Sequence, residues 1–292
     1  MSSLIVEAKA KINLALDVIE RRSDGYHNIL TVMQSISLSD RLRLKKTKSG
    51  FSFRVLHARL PCDRRNLAYR AAEAYFAFAN TAPDVEIVLE KRIPLSAGLG
   101  GGSADAAAVL VGLNRLYSGK MEGSDLMKLA QELGSDVPFF LKGGTMLASG
   151  RGEKLQELSP LPKMPIVLLK PPYFVSTQRA YQKLQIDQIS KRPNISKLLQ
   201  EASQNNWAGI VKEMINVFEE VTFATYPELA SFKEKLCEAG ALHVFMTGSG
   251  PTLVALTETE SQSDRVFAEA FKLPGQAYQS VLSHSGQEIA TV

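Results

Sequence analysis

Four glycines lie within five residues: Gly98, Gly100, Gly101 and Gly102. The alternating segment 85–90 precedes them and reads as a strand. The almost wholly apolar run 104–113 follows and reads as a buried helix, with Ser103 as its N-cap. Glycine permits positive φ and lets the backbone approach a ligand closely. A helix start leaves N–H groups unpaired, and its dipole favours an anion there. Strand, glycine loop and helix together therefore make a phosphate cradle. The P-loop is excluded, because Ser103 and Ala104 stand where it needs Lys and Ser or Thr. The dinucleotide fingerprint is excluded as well, since its last glycine is replaced by Ser103. A linker or tight turn is the plain alternative, but linkers do not usually run straight into an apolar helix.

Other segments carry isolated polar groups. Lys9, Lys11 and Asn13 alternate on a strand and share one face, which a solvated face would also explain. In Arg22-Ser23-Asp24-Gly25-Tyr26-His27, a hairpin turn accounts for Asp24 and Gly25 but not for Tyr26 and His27. A tyrosine ring can stack on a nucleobase, and an imidazole can hydrogen-bond its edge. Asp136, in Gly134-Ser135-Asp136-Val137-Pro138, caps a short helical turn or accepts a proton. Thr177 and Tyr181 lie one helical turn apart, as they would on any capped surface helix. Gly248, Ser249 and Gly250 fall between two strands, where a hairpin would also place glycine.

These residues need a scaffold. Strands are expected at 4–9, 12–20, 26–38, 41–45 and 51–55, largely antiparallel, followed by a helix over 66–80 opened by Asn66. After the glycine loop come a helix ending at Gly134 and a strand at 145–148. The proline-rich stretch near 158–165 divides the chain into expected units 1–158 and 159–292. The second unit reads as strands at 166–170, 241–246, 253–256 and 277–283. Its helices fall at 177–184, 194–202, 207–218, 227–238 and 261–271. This mixed order is α+β.

Composition narrows the field. The chain has 292 residues, 45% hydrophobic and 22% charged, with a net charge of +4. That balance is ordinary for a soluble protein and too weakly basic to argue for nucleic acid. No apolar stretch is long enough to span a membrane. The first residues carry no signal or transit pattern, which predicts a cytoplasmic protein. Cys62 and Cys237 are far apart, and the four histidines form no cluster, so no metal motif is present.

The run from Pro94 to Ala107 resembles the central motif of the GHMP small-molecule kinases. Segments around Lys11, Tyr26, Asp136, Thr177 and Gly248 follow in that family's order. The resemblance implies a two-domain α+β fold, with an N-terminal nucleotide domain and a ferredoxin-like C-terminal domain. It implies that Pro94, Leu95, Ser96, Ala97, Gly98, Leu99, Gly100, Gly101, Gly102, Ser103 and Ala104 bind ATP, with Asn66 and Lys91 near the nucleotide. Mg²⁺ is implied too, with Ser103 or Asp105 as candidate ligands and no ligand set fixed. Asp136 and Lys11 stand at the family's catalytic positions. Asn13, Thr177, Gly248, Ser249 and Gly250 stand at its acceptor-substrate positions. Tyr26, His27 and Tyr181 match a member whose alcohol substrate carries a cytidine diphosphate group on the way to isoprenoid precursors, with Tyr26 and Tyr181 on opposite faces of the cytosine. The partners expected are that small molecule, no nucleic acid and no membrane, with the chain a monomer or weak homodimer. A mevalonate- or homoserine-type kinase would need no cytosine pocket, and a non-catalytic nucleotide- or RNA-binding module would need a basic, aromatic patch.

Overall fold

Two long strands frame the N-terminal half. In the computed structural model, which describes residues 2–291, β1 (Ser3–Arg21) and β2 (His27–Lys46) pair antiparallel around the Asp24-Gly25 turn. The two pairs of shorter strands expected here are single strands. Their irregularity survives as register slips between Lys9 and Lys11, Asn13 and Ala15, and Val18 and Glu20. Such slips re-aim side chains. Lys9 accordingly does not join Lys11 and Asn13: its ammonium bonds to Ser283, Ser285 and Glu288.

The helix α1 (Leu67–Ala79) links β3 (Phe51–Leu56) to β4 (Val85–Glu90). These two strands are parallel rather than antiparallel, as a helical crossover permits. Three helices follow: α2 (Gly101–Leu116), α3 (Gly123–Leu133) and the short α4 (Val137–Lys142). Two strands close this half, β5 (Thr145–Gly150) and β6 (Lys154–Glu157), the latter unforeseen in the sequence. One face of the sheet buries Leu42, Leu44 and Ile87 against Tyr75, Leu110 and Phe139 from the helices. Ala104, Ala106, Ala107 and Ala108 are fully buried, so α2 is a core helix whose start is held firmly.

The second half contains β7 (Pro165–Lys170), β8 (His243–Met246), β9 (Leu253–Leu256) and β10 (Gln276–Val281). All neighbours are antiparallel, in the order β10-β7-β9-β8. This is the ferredoxin-like arrangement, with α10 (Glu260–Lys272) between β9 and β10. Between β7 and β8 lie α5 (Thr177–Lys183), α6 (Ile195–Ser203), α7 (Trp207–Glu213), α8 (Phe218–Thr225) and α9 (Glu228–Glu238). The helix expected over 207–218 is interrupted after Glu213. There Leu16 donates its N–H to Ile215 and accepts one from Val217, replacing helical bonds with a bridge to β1.

A last strand, β11 (Gln287–Thr291), leaves this half and pairs with β1. The sheet of the first half is thus completed by a strand from the far end of the described chain. Among the described residues no helix is long and apolar enough to cross a membrane.

Candidate active site

The glycine loop and the second glycine segment meet back to back. Gly98 has φ +75°, and a Cβ there would lie 2.5 Å from the carbonyl oxygen of Thr247. Gly100 has φ +70°, and a Cβ there would lie 2.6 Å from the Phe140 ring. Neither position accepts a side chain. Gly100, not Ser103, is the N-cap of α2, and no side chain caps the helix. Ser103 lies in the first turn instead, because the backbone turns helical three residues earlier than its apolar pattern suggests. The uncapped start leaves α2 ready for an anion.

The rest of the loop is anchored rather than displayed. Ala97, Leu99 and Ala104 are buried in the cores, so only their backbone is available to a ligand. Leu99 accepts a hydrogen bond from the Lys11 N–H at 3.1 Å, tying the loop to β1. Leu95, Ser96 and Gly102 are exposed.

Beside the loop opens a cleft of about 920 Å³ that reaches both halves of the chain. Lys11, Asn13, Asp136, Thr177, Gly248 and Ser249 line it together, although they are scattered in sequence. The buried Lys11 ammonium donates to Asn13 Oδ1 at 2.6 Å. Asn13 Nδ2 donates to Thr31 Oγ1 at 2.9 Å, which fixes the amide. Burial lowers the Lys11 pKa, while Asp136 acts to raise it. Thr177 and Ser249 share a hydrogen bond of 2.9 Å across the two halves of the motif. Gly250 turns away: a Cβ there would meet Met246 Sδ at 2.4 Å, so it shapes the loop from behind.

Asp136 opens α4 but makes no capping bond. Among the described residues its carboxylate has no hydrogen bond or ion pair. A carboxylate facing a cleft without a structural partner is free to take a proton.

At the other end of the cleft, the aromatic groups are arranged differently from the expectation. His27 stacks on Tyr181, with centroids 4.8 Å apart and planes 27° apart. Tyr26 is 56% exposed and carries the Arg151 guanidinium over its ring at 4.9 Å. The two tyrosines are therefore not bare plates facing one another; each has gathered a neighbouring side chain. Burial, and then Arg21, lower the His27 pKa, which favours the neutral imidazole. Burial, with Asp136 adding to it, pushes the Tyr181 phenol up to about 12. Tyr181 thus stays a neutral donor and feels the charge at the far end of the same cleft.

Three expected nucleotide or metal residues have other work. Asn66 Oδ1 caps α1 at the Ala68 N–H, and its Nδ2 donates to the Pro61 carbonyl. The Lys91 side chain is 4% exposed, paired with Asp40 and with Asp105 at 2.8 Å. Burial acts to lower the Lys91 pKa, but Asp105 and Asp40 outweigh it and raise it. Burial and the nearby Asp40 push Asp105 well above the carboxylate range, against the pull of Lys91. Asp40 also accepts from the Arg92 and Ile93 N–H groups. This triad holds both stems of the glycine loop from beneath; it engages Lys91 and Asp105 Oδ2, while Asp105 Oδ1 is buried without a partner among the described residues. Lys91→Met leaves two buried carboxylates without a cation. It should cost about 3–5 kcal/mol, the usual price of breaking a buried pair. Chemical denaturation would measure this, and an unchanged midpoint would refute the clasp.

Some residues of the site carry no local signal. Asn216 is buried and donates to the Met246 and Gly248 carbonyls, fixing the second loop. Arg21, Asp24 and Arg151 line the cleft mouth. Asp24 belongs to the turn already marked before Tyr26, but nothing in their own segments marks Arg21 and Arg151; only the fold brings them in.

The comparisons with known proteins agree with this geometry. Residues 66–144 match the GHMP kinases N terminal domain, and residues 192–275 match the GHMP kinases C terminal domain. A 4-diphosphocytidyl-2-C-methyl-D-erythritol kinase from Pelotomaculum thermopropionicum is 47% identical over 89% of this chain and 91% of its own. The chain belongs to the GHMP kinase family. Among solved GHMP kinases, a 4-(cytidine 5'-diphospho)-2C-methyl-D-erythritol kinase superposes with a TM-score of 0.84 at 36% identity. That match covers 96% of this chain and 99% of the other. The homoserine kinase of Cytophaga hutchinsonii shares the fold at TM-score 0.79 but only 21% identity, covering 99% and 97% of the two chains.

Proposed function

We infer that this GHMP kinase transfers the γ-phosphoryl group of ATP to the 2-hydroxyl of 4-diphosphocytidyl-2-C-methyl-D-erythritol, a step toward isoprenoid precursors. One observation carries the reading: a single cleft joins a proton acceptor and a cation beside the glycine loop to an aromatic pocket at its far end. Relatives bearing that activity are 41–47% identical over about nine-tenths of the chain. The homoserine-type reading rests on fold alone, and nothing in a homoserine kinase requires the aromatic end.

In this reading the α2 start and the backbone of the glycine loop receive the ATP phosphates. Asp136 takes the proton of the attacking hydroxyl. Lys11, oriented by Asn13, meets the negative charge that develops on the transferring group. Bound Mg²⁺ would neutralise charge on the phosphate oxygens. Among the described residues no three His, Cys, Asp or Glu side chains form a metal group. Ser103, in the first turn of α2, would offer such a cation one hydroxyl oxygen. Tyr26, His27 and Tyr181 hold the cytidine end, Thr177 and Ser249 the polyol side. Binding at the remote base fixes the hydroxyl in line. Cys62 and Cys237 are both free and exposed, which supports a reducing compartment such as the cytoplasm.

The test is ADP release from ATP and Mg²⁺. Release with the cytidylyl alcohol and none with mevalonate or homoserine is expected. Turnover with either of the other alcohols would overturn the assignment.

A further inference from the structure

Arg151 lies at the tip of the turn between β5 and β6, between Gly150 and Gly152. Both glycines have positive φ, +70° and +108°. The turn is fastened by the Glu153 carboxylate, whose Oε2 accepts from the Arg151 N–H at 2.6 Å. Its guanidinium has no ion pair among the described residues, although its charge reaches Asp24 and Glu153 is two residues on. It lines the cleft and rests on the Tyr26 ring. The turn also reaches the reacting end: a Cβ on Gly152 would lie 3.9 Å from Asp136 Oδ1. One three-residue turn therefore borders both the base end and the phosphoryl-transfer end.

Any substrate that places a base on Tyr26 and a hydroxyl at Asp136 must lay its connecting group beside this turn. In the substrate inferred above, that group is a diphosphate. We propose that Arg151 is the diphosphate-binding residue of the acceptor site, moving from the Tyr26 ring to the diphosphate as the base takes its place on the ring. Guanidinium suits this exchange. It stacks on an aromatic face without a partner anion, and it forms charge-assisted, forked bonds when phosphate oxygens arrive. Tyr26 is thereby kept covered and correctly turned until a ligand with both base and diphosphate displaces the cation. A nucleoside alone would have to displace Arg151 with no anion to receive it, so the arrangement selects for the diphosphate.

This inference rests on the proposed function, and the experiment separates the two. Wild type and Arg151→Met are compared for KM toward the cytidylyl alcohol, KM toward ATP, and inhibition by cytidine and by CDP. Expected for Arg151→Met is a rise of about 10- to 100-fold in the KM of the alcohol and in the CDP inhibition constant, the usual worth of a charged hydrogen bond. Cytidine inhibition should tighten by no more than about fivefold as the cation–π contact is removed, the KM of ATP should stay within about twofold, and Arg151→Lys should recover part of the loss. Equal weakening of cytidine and CDP would overturn the proposal, leaving Arg151 as a support for Tyr26 alone. Unchanged CDP inhibition would overturn it as well. Failure of wild type itself to turn over the cytidylyl alcohol would instead count against the functional reading. Arg151 is exposed, so the folded state should be unaffected, and an unchanged thermal midpoint confirms that the kinetics report the site.

Discussion

Asp136→Asn should lower kcat by roughly 10²- to 10⁴-fold, the usual worth of a positioned general base. Asp136 occupies the N-cap position of α4, where a carboxylate commonly bonds to the helix, yet it makes no such bond. The substitution keeps shape and removes the capacity to accept a proton together with the charge that Lys11 and Tyr181 feel. Stability should therefore change by no more than about 0.5 kcal/mol, as for positions without structural contacts. KM values for both substrates should move little, because the loss falls on the transition state. Steady-state kinetics together with a thermal melt would check the whole pattern. A variant with near-normal kcat would remove Asp136 from the mechanism.

Lys11→Met should cost about 10²- to 10³-fold in kcat, comparable to deleting one preorganised charge stabiliser. Here the fold offers a second readout. Lys11 is 5% exposed, so its ammonium is held out of water at a cost that methionine removes. Against that, Asn13 Oδ1 loses its donor. The two effects oppose, and net stability should shift by no more than about 1–2 kcal/mol. A large kinetic loss with a small stability change is the signature of a charge kept for chemistry. The direction of its pKa adds a pH test. Burial lowers it, against the attraction of Asp136. Wild-type activity should then fall on the alkaline side before an ordinary lysine would lose its proton. An alkaline limb set only at the ordinary lysine value would contradict a buried, functional Lys11.

What could be read in the residues was local. Gly98 to Gly102 announce a phosphate cradle because each requirement, positive φ, close approach and a following helix, is written within a few positions. The four short strands of the second half were visible for the same reason, as compact apolar runs between turns. What could not be read depends on partners far away in sequence. Lys91 looks like a nucleotide contact until Asp40 comes beneath it from β2. The helix expected through 207–218 has the right periodicity, but Leu16 captures the backbone around Asn216. Arg151 carries no motif, and its meaning appears only when Tyr26 lies under it. β11 is short and polar-rich, and its strand character comes from the open edge of β1 rather than from its own residues. Ser103 is a good N-cap by type. The helix starts earlier because glycine at position 100 can take the left-handed turn that places the first N–H groups outward.

The pairing of β11 with β1 also sets an order of events in biosynthesis. Lys9 lies near the beginning of the chain, its side chain 8% exposed, and three of its partners are Ser283, Ser285 and Glu288. During vectorial synthesis the first strand leaves the ribosome long before those partners exist. Until they arrive, one edge of the first sheet stands open and a lysine waits for its counter-charge. The nascent N-terminal half, glycine loop included, would present an unpaired strand that invites wrong pairing or a chaperone. A late strand, β11, thus closes the early strand β1.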